Sequence, residues 1–247
     1  MPVDHITHPE LAAAVARVAD VFAGQAADPG ETGCLQCYGP QEIAWLRDPG
    51  APLPDELVLY VAREVPSHWK DSAAVMRRIL PRLAALLADG EYVSDAHGLG
   101  LGGAGWQQWP RHQAEAVRGF LDAYWTAALR TSRPVHTLYD VFAFCEEAHG
   151  SPVPCLARWE SETGPVADAY LLDFVDDRID DLLSPALTYT PAEGWRPADP
   201  RPDAELSSWV LRHAAPRIGA RGDADPGLLY RLDQLALPEE QRWDGTP

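Results

Sequence analysis

Apolar residues recur every three to four positions through most of this chain, and nearly every such run opens at a proline or a short acidic or hydroxyl residue. Pro9, after Thr7-His8, opens the run LAAAVARVADVFAGQ, and Pro40 opens a short helix through Trp45-Leu46. Pro54, with Asp55 and Glu56 in the first turn, opens LVLYVAREV. Asp71 or Ser72 begins a helix to Leu87 that carries Pro81 as a kink point and Gly90 as its stop. Pro110 starts the long run RHQAEAVRGFLDAYWTAALR, and Val135 to His149 forms another helix, stopped by Gly150 and Pro152. Pro165 opens an acidic helix, followed by helical stretches at about 203–218 and 226–237.

Strand signals are poor. Segments such as Leu187–Thr190 are short and flanked by proline. The pattern predicts an all-α protein of nine or ten helices packed as an irregular bundle, with helical-hairpin repeats as an alternative. Five prolines between Pro185 and Pro202 read as a linker or strap. It separates a main helical domain (6–184) from a small C-terminal helical element (203–238), and residues 239–247 read as a frayed tail.

Charge narrows the choice of partners. The net charge is −17, and residues 140–247 carry −12 of it, with 21 acids against 9 bases. Nucleic acid and anionic membranes both reward basic surfaces, so neither is an expected partner; basic proteins and cations are. The chain has 46% hydrophobic residues and nine tryptophans, which excludes general disorder. No apolar run reaches the ~18–20 residues of a membrane span, and the N-terminus lacks the pattern of a signal peptide. A cytoplasmic location is the expectation, and with it cysteines that serve as thiols or metal ligands rather than disulfides.

The acidity concentrates in DFVDDRIDD. Asp173, Asp176, Asp177, Asp180 and Asp181 fall on one helical face, in an arc of roughly 140°. Leu171, Leu172, Val175, Ile179, Leu182 and Leu183 form the opposite, apolar face. Like charges at i,i+3 and i,i+4 cost about 0.2–0.5 kcal/mol per pair, so this face invites a metal, a basic partner or counterions. Residues 176–180, DDRID, match the DDxxD pattern of terpene and prenyl diphosphate synthases, whose carboxylates hold Mg²⁺ against a diphosphate. The second metal motif of those enzymes is absent, and Arg178 is the one basic residue within the run. An Mg²⁺-dependent enzyme acting on diphosphates is therefore an alternative to a protein-binding face. A scaffold with a merely solvated acidic surface is a third reading.

Cys34-Leu35-Gln36-Cys37 is a CxxC just ahead of a predicted helix. It reads either as two reduced thiols packing a helix start or as half of a structural zinc site. No second CxxC exists, and Cys145 and Cys155 complete four thiolates only if the fold brings them there. The run from His97 to Gly105 is glycine-rich but has neither the Lys-Ser/Thr of a phosphate loop nor a preceding strand, so it reads as a loop between helices. Trp106, Trp109, Tyr124 and Trp125 read as core, and Glu146, Glu147 and His149 form an EExH run without a partner helix.

From Cys34-x-x-Cys37 onward, the order of landmarks runs through Leu53-Pro54-x-Glu56-Leu57, Tyr60, Ile79-Leu80-Pro81-Arg82-Leu83, Leu86-Leu87, Trp106, Trp109-Pro110 and Tyr124-Trp125. Over about residues 34–130 it resembles a group of uncharacterised helical bacterial proteins that share a CxxC followed by an LPRxLELL-like helix. The resemblance implies a helical fold and a setting near secreted toxins, where small acidic proteins serve as immunity partners. The leading expectation is thus a non-enzymatic acidic binding protein whose Asp173, Asp176, Asp177, Asp180 and Asp181 meet a basic partner, in the sharpest form a toxin.

Overall fold

The structure is a computed structural model, and it describes residues 8–91, 94–132, 136–184, 187–190, 194–197 and 203–242. The chain forms two compact units, residues 1–158 and 159–247. The first holds α1 (Pro9–Val21), α2 (Pro40–Arg47), α3 (Asp55–Ala62), α4 (Ser72–Ala88), α5 (Asp95–Gly103), α6 (Arg111–Arg130) and α7 (Leu138–His149). Helix α8 (Val153–Ser161) carries the division, and the second unit continues with α9 (Pro165–Leu183), a hairpin of β1 (Leu187–Thr190) and β2 (Gly194–Pro197), α10 (Ala204–Trp209), α11 (Ala215–Arg221) and α12 (Pro226–Ala236).

Local chemistry explains most boundaries. Proline occupies the first turn of α1, α2, α9 and α12, where a missing N–H costs nothing. Side chains of Asp71, Thr137 and Asp225 accept from the first-turn N–H groups of Ala74, Asp140 and Gly227 at 2.9, 3.1 and 3.0 Å. Between α10 and α11 the helix widens to a π turn over Val210–Ala214, with Ala215 N–H reaching back to the Val210 carbonyl. Pro216, which cannot donate to Arg212 and whose ring crowds that carbonyl, accounts for the widening.

The core of the first unit lies where α6 meets α1 and α7. Tyr124 and Trp125 pack edge-on against Phe144 and Phe142, with ring centroids 5.9 and 5.6 Å apart. Trp106, Trp109 and Trp125 are buried, and each indole N–H finds a carbonyl, on Ala148, Ala104 and Cys155. The aromatic residues are core, as expected.

The glycine-rich run is not a loop. Residues 95–103 form α5, inserted so closely that three of its four glycines meet backbone, while Gly103 meets the Pro66 ring. A Cβ on Gly98 or Gly102 would overlap the carbonyl oxygens of Phe144 or Glu147 in α7; one on Gly100 would overlap that of Ala62 at the end of α3. Each helical glycine costs about 1 kcal/mol relative to alanine, and the close approach it permits offsets that cost. His97, 1% exposed, faces the Ser94 hydroxyl at 2.9 Å and accepts from its N–H. Burial, with the nearby Arg63 charge, holds its imidazole down to about 4, so it sits in the core as a neutral ring.

Three further expectations change. The described residues hold eleven helices when α10, the π turn and α11 are taken as one, the additions to the nine specified runs being α5 and α8. Within 185–202, read as a linker or strap, the described residues pair as an antiparallel hairpin with Thr190 opposite Gly194. The division of the chain falls after Arg158 rather than after 184, because α9 packs with α11 and α12. Of the C-terminal tail, Glu239–Gln241 forms a 3₁₀ turn, and residues 243–247 lie outside the described residues. Among the described residues, no helix is long and apolar enough to cross a membrane.

Candidate metal centre and the acidic helix

In the first unit, two chain segments far apart in sequence meet around the CxxC. The first is a tight turn in which the N–H groups of Cys37 and Tyr38 both reach the Cys34 carbonyl at 3.0 Å, which turns both thiols to one side just before α2. The second leaves α3 through Glu64 into the 3₁₀ turn Pro66–His68. Between them lies Glu31, fully buried. Its carboxylate accepts N–H groups from Thr32 (2.9 Å) and Gly33 (2.8 Å) on its own segment, and from Lys70 and Asp71 (both 3.0 Å) on the other. Arg47 adds a bond to the Glu31 carbonyl, and Lys70 Nζ one to Gly30 O. Burial pushes the Glu31 carboxyl upward, but four N–H donors outweigh it and hold the group below its ordinary value. Tyr38 and Trp69, both buried with ring centroids 4.5 Å apart, fill the space behind.

The result brings Cys34, Cys37 and His68 together, with one ligand atom of each within 4.8 Å of the others. Cys37 Sγ lies 3.9 Å from His68 Nδ1. In a tetrahedral zinc site, metal–ligand bonds of about 2.0–2.3 Å place neighbouring ligand atoms roughly 3.3–3.8 Å apart, so the three residues are close enough to hold a metal ion. Glu64, four residues before His68, touches Nδ1 through its carboxylate, and burial, with the neighbouring Glu64 and Cys37, pushes the Tyr60 hydroxyl up. The Cys37 thiol hydrogen-bonds Cys34 and, with help from the Gln36 N–H, holds the Cys34 thiol below its ordinary value; the same bond and burial push Cys37 up.

The other candidates do not join this centre. Cys145 and Cys155 are buried on α7 and α8, and burial, with the neighbouring Cys155, drives the Cys145 thiol far upward. Neither cysteine converges with Cys34 and Cys37, so the fold does not bring the four thiols together. Of the EExH run, His149 packs edge-on against Trp106 at 5.7 Å. Among the described residues, Cys34, Cys37 and His68 are the one group of three or more His, Cys, Asp or Glu ligand atoms that converge. Spacing alone pointed to the cysteines; it missed His68, because 31 residues separate it from Cys37 and no finger pattern has that interval. The signal in the sequence was the Glu64–His68 pair at i,i+4. Nothing local marks Glu31.

In the second unit, α9 has the two faces its sequence predicts. Leu171, Val175, Ile179, Leu182 and Leu183 are buried, Leu172 partly so, and all five aspartates are exposed. The charge is compensated from within the unit. Arg231 of α12 bonds Asp176 and, at 3.3 Å, Asp180. Arg178 faces Asp203 at 3.8 Å, and Arg217 holds Asp168 together with the carbonyls of Trp159 (3.2 Å) and Glu162 (2.8 Å). Two of the three pattern carboxylates of DDRID are thus engaged by a guanidinium on an open surface, and their oxygens do not converge as Mg²⁺ would require. Asp173, Asp177 and Asp181, at successive i,i+4 positions, have no ion pair among the described residues. Replacing Arg231 with alanine is expected to cost under about 1 kcal/mol, because the pairs are exposed; thermal melts in low and high salt check it, with the difference shrinking in salt.

Comparison with protein-family models, with curated proteins and with solved structures finds no match for this chain.

Proposed function

We propose that this chain is a non-enzymatic binding protein that presents the exposed stripe Asp173, Asp177 and Asp181 to a basic protein partner, in its sharpest form a toxin. The observation that carries the reading is the division of labour on α9. Asp176 and Asp180 share one ion-pair partner, Arg231, while the other three aspartates are exposed with no ion pair among the described residues, on a helix whose opposite face is buried. A row of like charges raises the rate of encounter with an oppositely charged partner more than it raises affinity.

Affinity capture from the native organism at low and high salt, with identification of what co-purifies, supplies the partner. The triple variant Asp173→Asn, Asp177→Asn, Asp181→Asn is then expected to lower the association rate about tenfold at low salt, with no loss of thermal stability. The pair Asp176→Asn, Asp180→Asn should change the rate far less. An association rate in the triple variant equal to wild type sinks the proposal.

A second element of the reading concerns the first unit, where the convergence of two thiols and an imidazole favours Zn²⁺ held by Cys34, Cys37 and His68. Elemental analysis of protein purified without chelators is expected to show about one zinc per chain, and Cys34→Ser to abolish it.

A further inference from the structure

We infer that the cavity at the C-terminal end of α1, against α4, is a binding site for a small organic carboxylate, with Arg78 as its charge partner. The cavity measures about 380 Å³, inside the range of small-molecule sites, about 300–1,000 Å³. It lies between the end of α1 with the turn after it, the segment leading into α3, and residues 78–82 of α4. Phe22, Pro52, Leu53 and Pro81 supply apolar walls, and the two charged side chains that line it, Arg78 and Arg82, are both cationic. It shares no residue with the metal centre or with α9, and is independent of both readings.

The two arginines stand one turn apart on the same face of α4, yet they are satisfied differently. Arg82 has its carboxylate built in: Nε and Nη2 donate to the two oxygens of Asp55 at 2.7 and 2.8 Å. Arg78 has none. Its Nη2 donates to the carbonyls of Ala51 and, at 3.4 Å, Trp45, and its Nε is buried without a partner. Among the described residues Nη1 has no hydrogen bond, and no carboxylate lies within ion-pair distance. The field of Asp48 reaches this guanidinium, but one oxygen of that acid takes the Gly50 N–H at 2.9 Å. Burial outweighs it and holds Arg78 below the ordinary arginine value. At the end of α1, the Val18 and Asp20 carbonyls accept from the N–H groups of Phe22 and Ala23, so they do not compete for the cation.

A partly buried cation without an anion is costly, and a carboxylate at Nη1 would do for Arg78 what Asp55 does for Arg82. One free guanidinium balances one negative charge. That favours a monocarboxylate with an apolar body over a phosphate ester, whose second charge would face the Phe22 and Leu53 walls.

The test uses the full chain with benzoate, and with benzamide as its uncharged isostere. Benzoate is expected to raise the melting temperature in a dose-dependent way. Ligand-observed NMR should show it binding at least about tenfold more tightly than benzamide. Ala19→Phe puts a ring into the cavity from an exposed helix position, so it should fold normally and lose benzoate binding. Arg78→Met should bring benzoate affinity down to that of benzamide; if loss of the Ala51 bond unfolds this variant, Ala19→Phe decides alone. Benzoate that binds wild type no better than benzamide, or that binds Ala19→Phe as well as wild type, would overturn the assignment.

Discussion

Gly100→Ala is expected to destabilise the first unit by at least about 2 kcal/mol, although the residue sits in a helix, where alanine is normally the better choice by about 1 kcal/mol. The new methyl group would overlap the Ala62 carbonyl oxygen, a backbone atom at the end of α3 that cannot rotate aside. Gly98→Ala meets the Phe144 carbonyl in the same way and should cost a similar amount. The contrast is Gly119, exposed in α6 with nothing within 4 Å of where a Cβ would stand. Gly119→Ala should raise stability by about 0.5–1 kcal/mol. Thermal melts read all three, at roughly 2–4 °C per kcal/mol for a chain of this size. Gly100→Ala and Gly119→Ala moving the midpoint in the same direction would refute the close packing of α5.

Glu31→Ala should be at least as damaging. It strands the N–H groups of Thr32, Gly33, Lys70 and Asp71 around a site from which water is excluded. Leaving buried donors without an acceptor costs about 1–3 kcal/mol each, although not additively, so a total of about 3–5 kcal/mol is expected. The carboxylate form is what these donors favour, so the folded group titrates below its unfolded counterpart. Its contribution is then complete above the ordinary glutamate value of about 4.3 and is lost as the pH falls through the lower, folded value. Glu31→Gln carries no titrating group. The stability advantage of wild type over this variant should be constant from pH 7 to pH 5 and shrink below that, as measured by urea titrations at each pH. An advantage that persists undiminished to pH 3 would contradict the assignment.

How much of this was legible in the sequence depended on the range of the interactions. Nine helices were readable because periodicity, N-terminal prolines and the caps at Asp71 and Asp225 act within a turn or two of themselves. The two faces of α9 were readable for the same reason. Helix α5 was not, since its stability lies in backbone approaches to Phe144, Glu147 and Ala62, which a scale of local propensity counts only as four unfavourable glycines. Two of the three residues of the candidate metal centre were visible as a CxxC, while His68 arrived by tertiary folding. Arg231 reaches the acidic face across 51 residues from Asp180, which is why that face looked uncompensated in the sequence.

The bonds from Glu31 to Lys70 and Asp71 span 39 and 40 residues. Joining the ends of such a loop carries an entropic cost of about 3 kcal/mol by the logarithmic rule, beyond a constant. Here a carboxylate meets that cost within the polypeptide itself, so Cys34, Cys37 and His68 are brought together by the fold and not by an ion. On the proposed reading of these residues as zinc ligands, uptake and release would be ligand-exchange events on a folded acceptor, with rates set by the thiolates and the imidazole rather than by refolding of the chain.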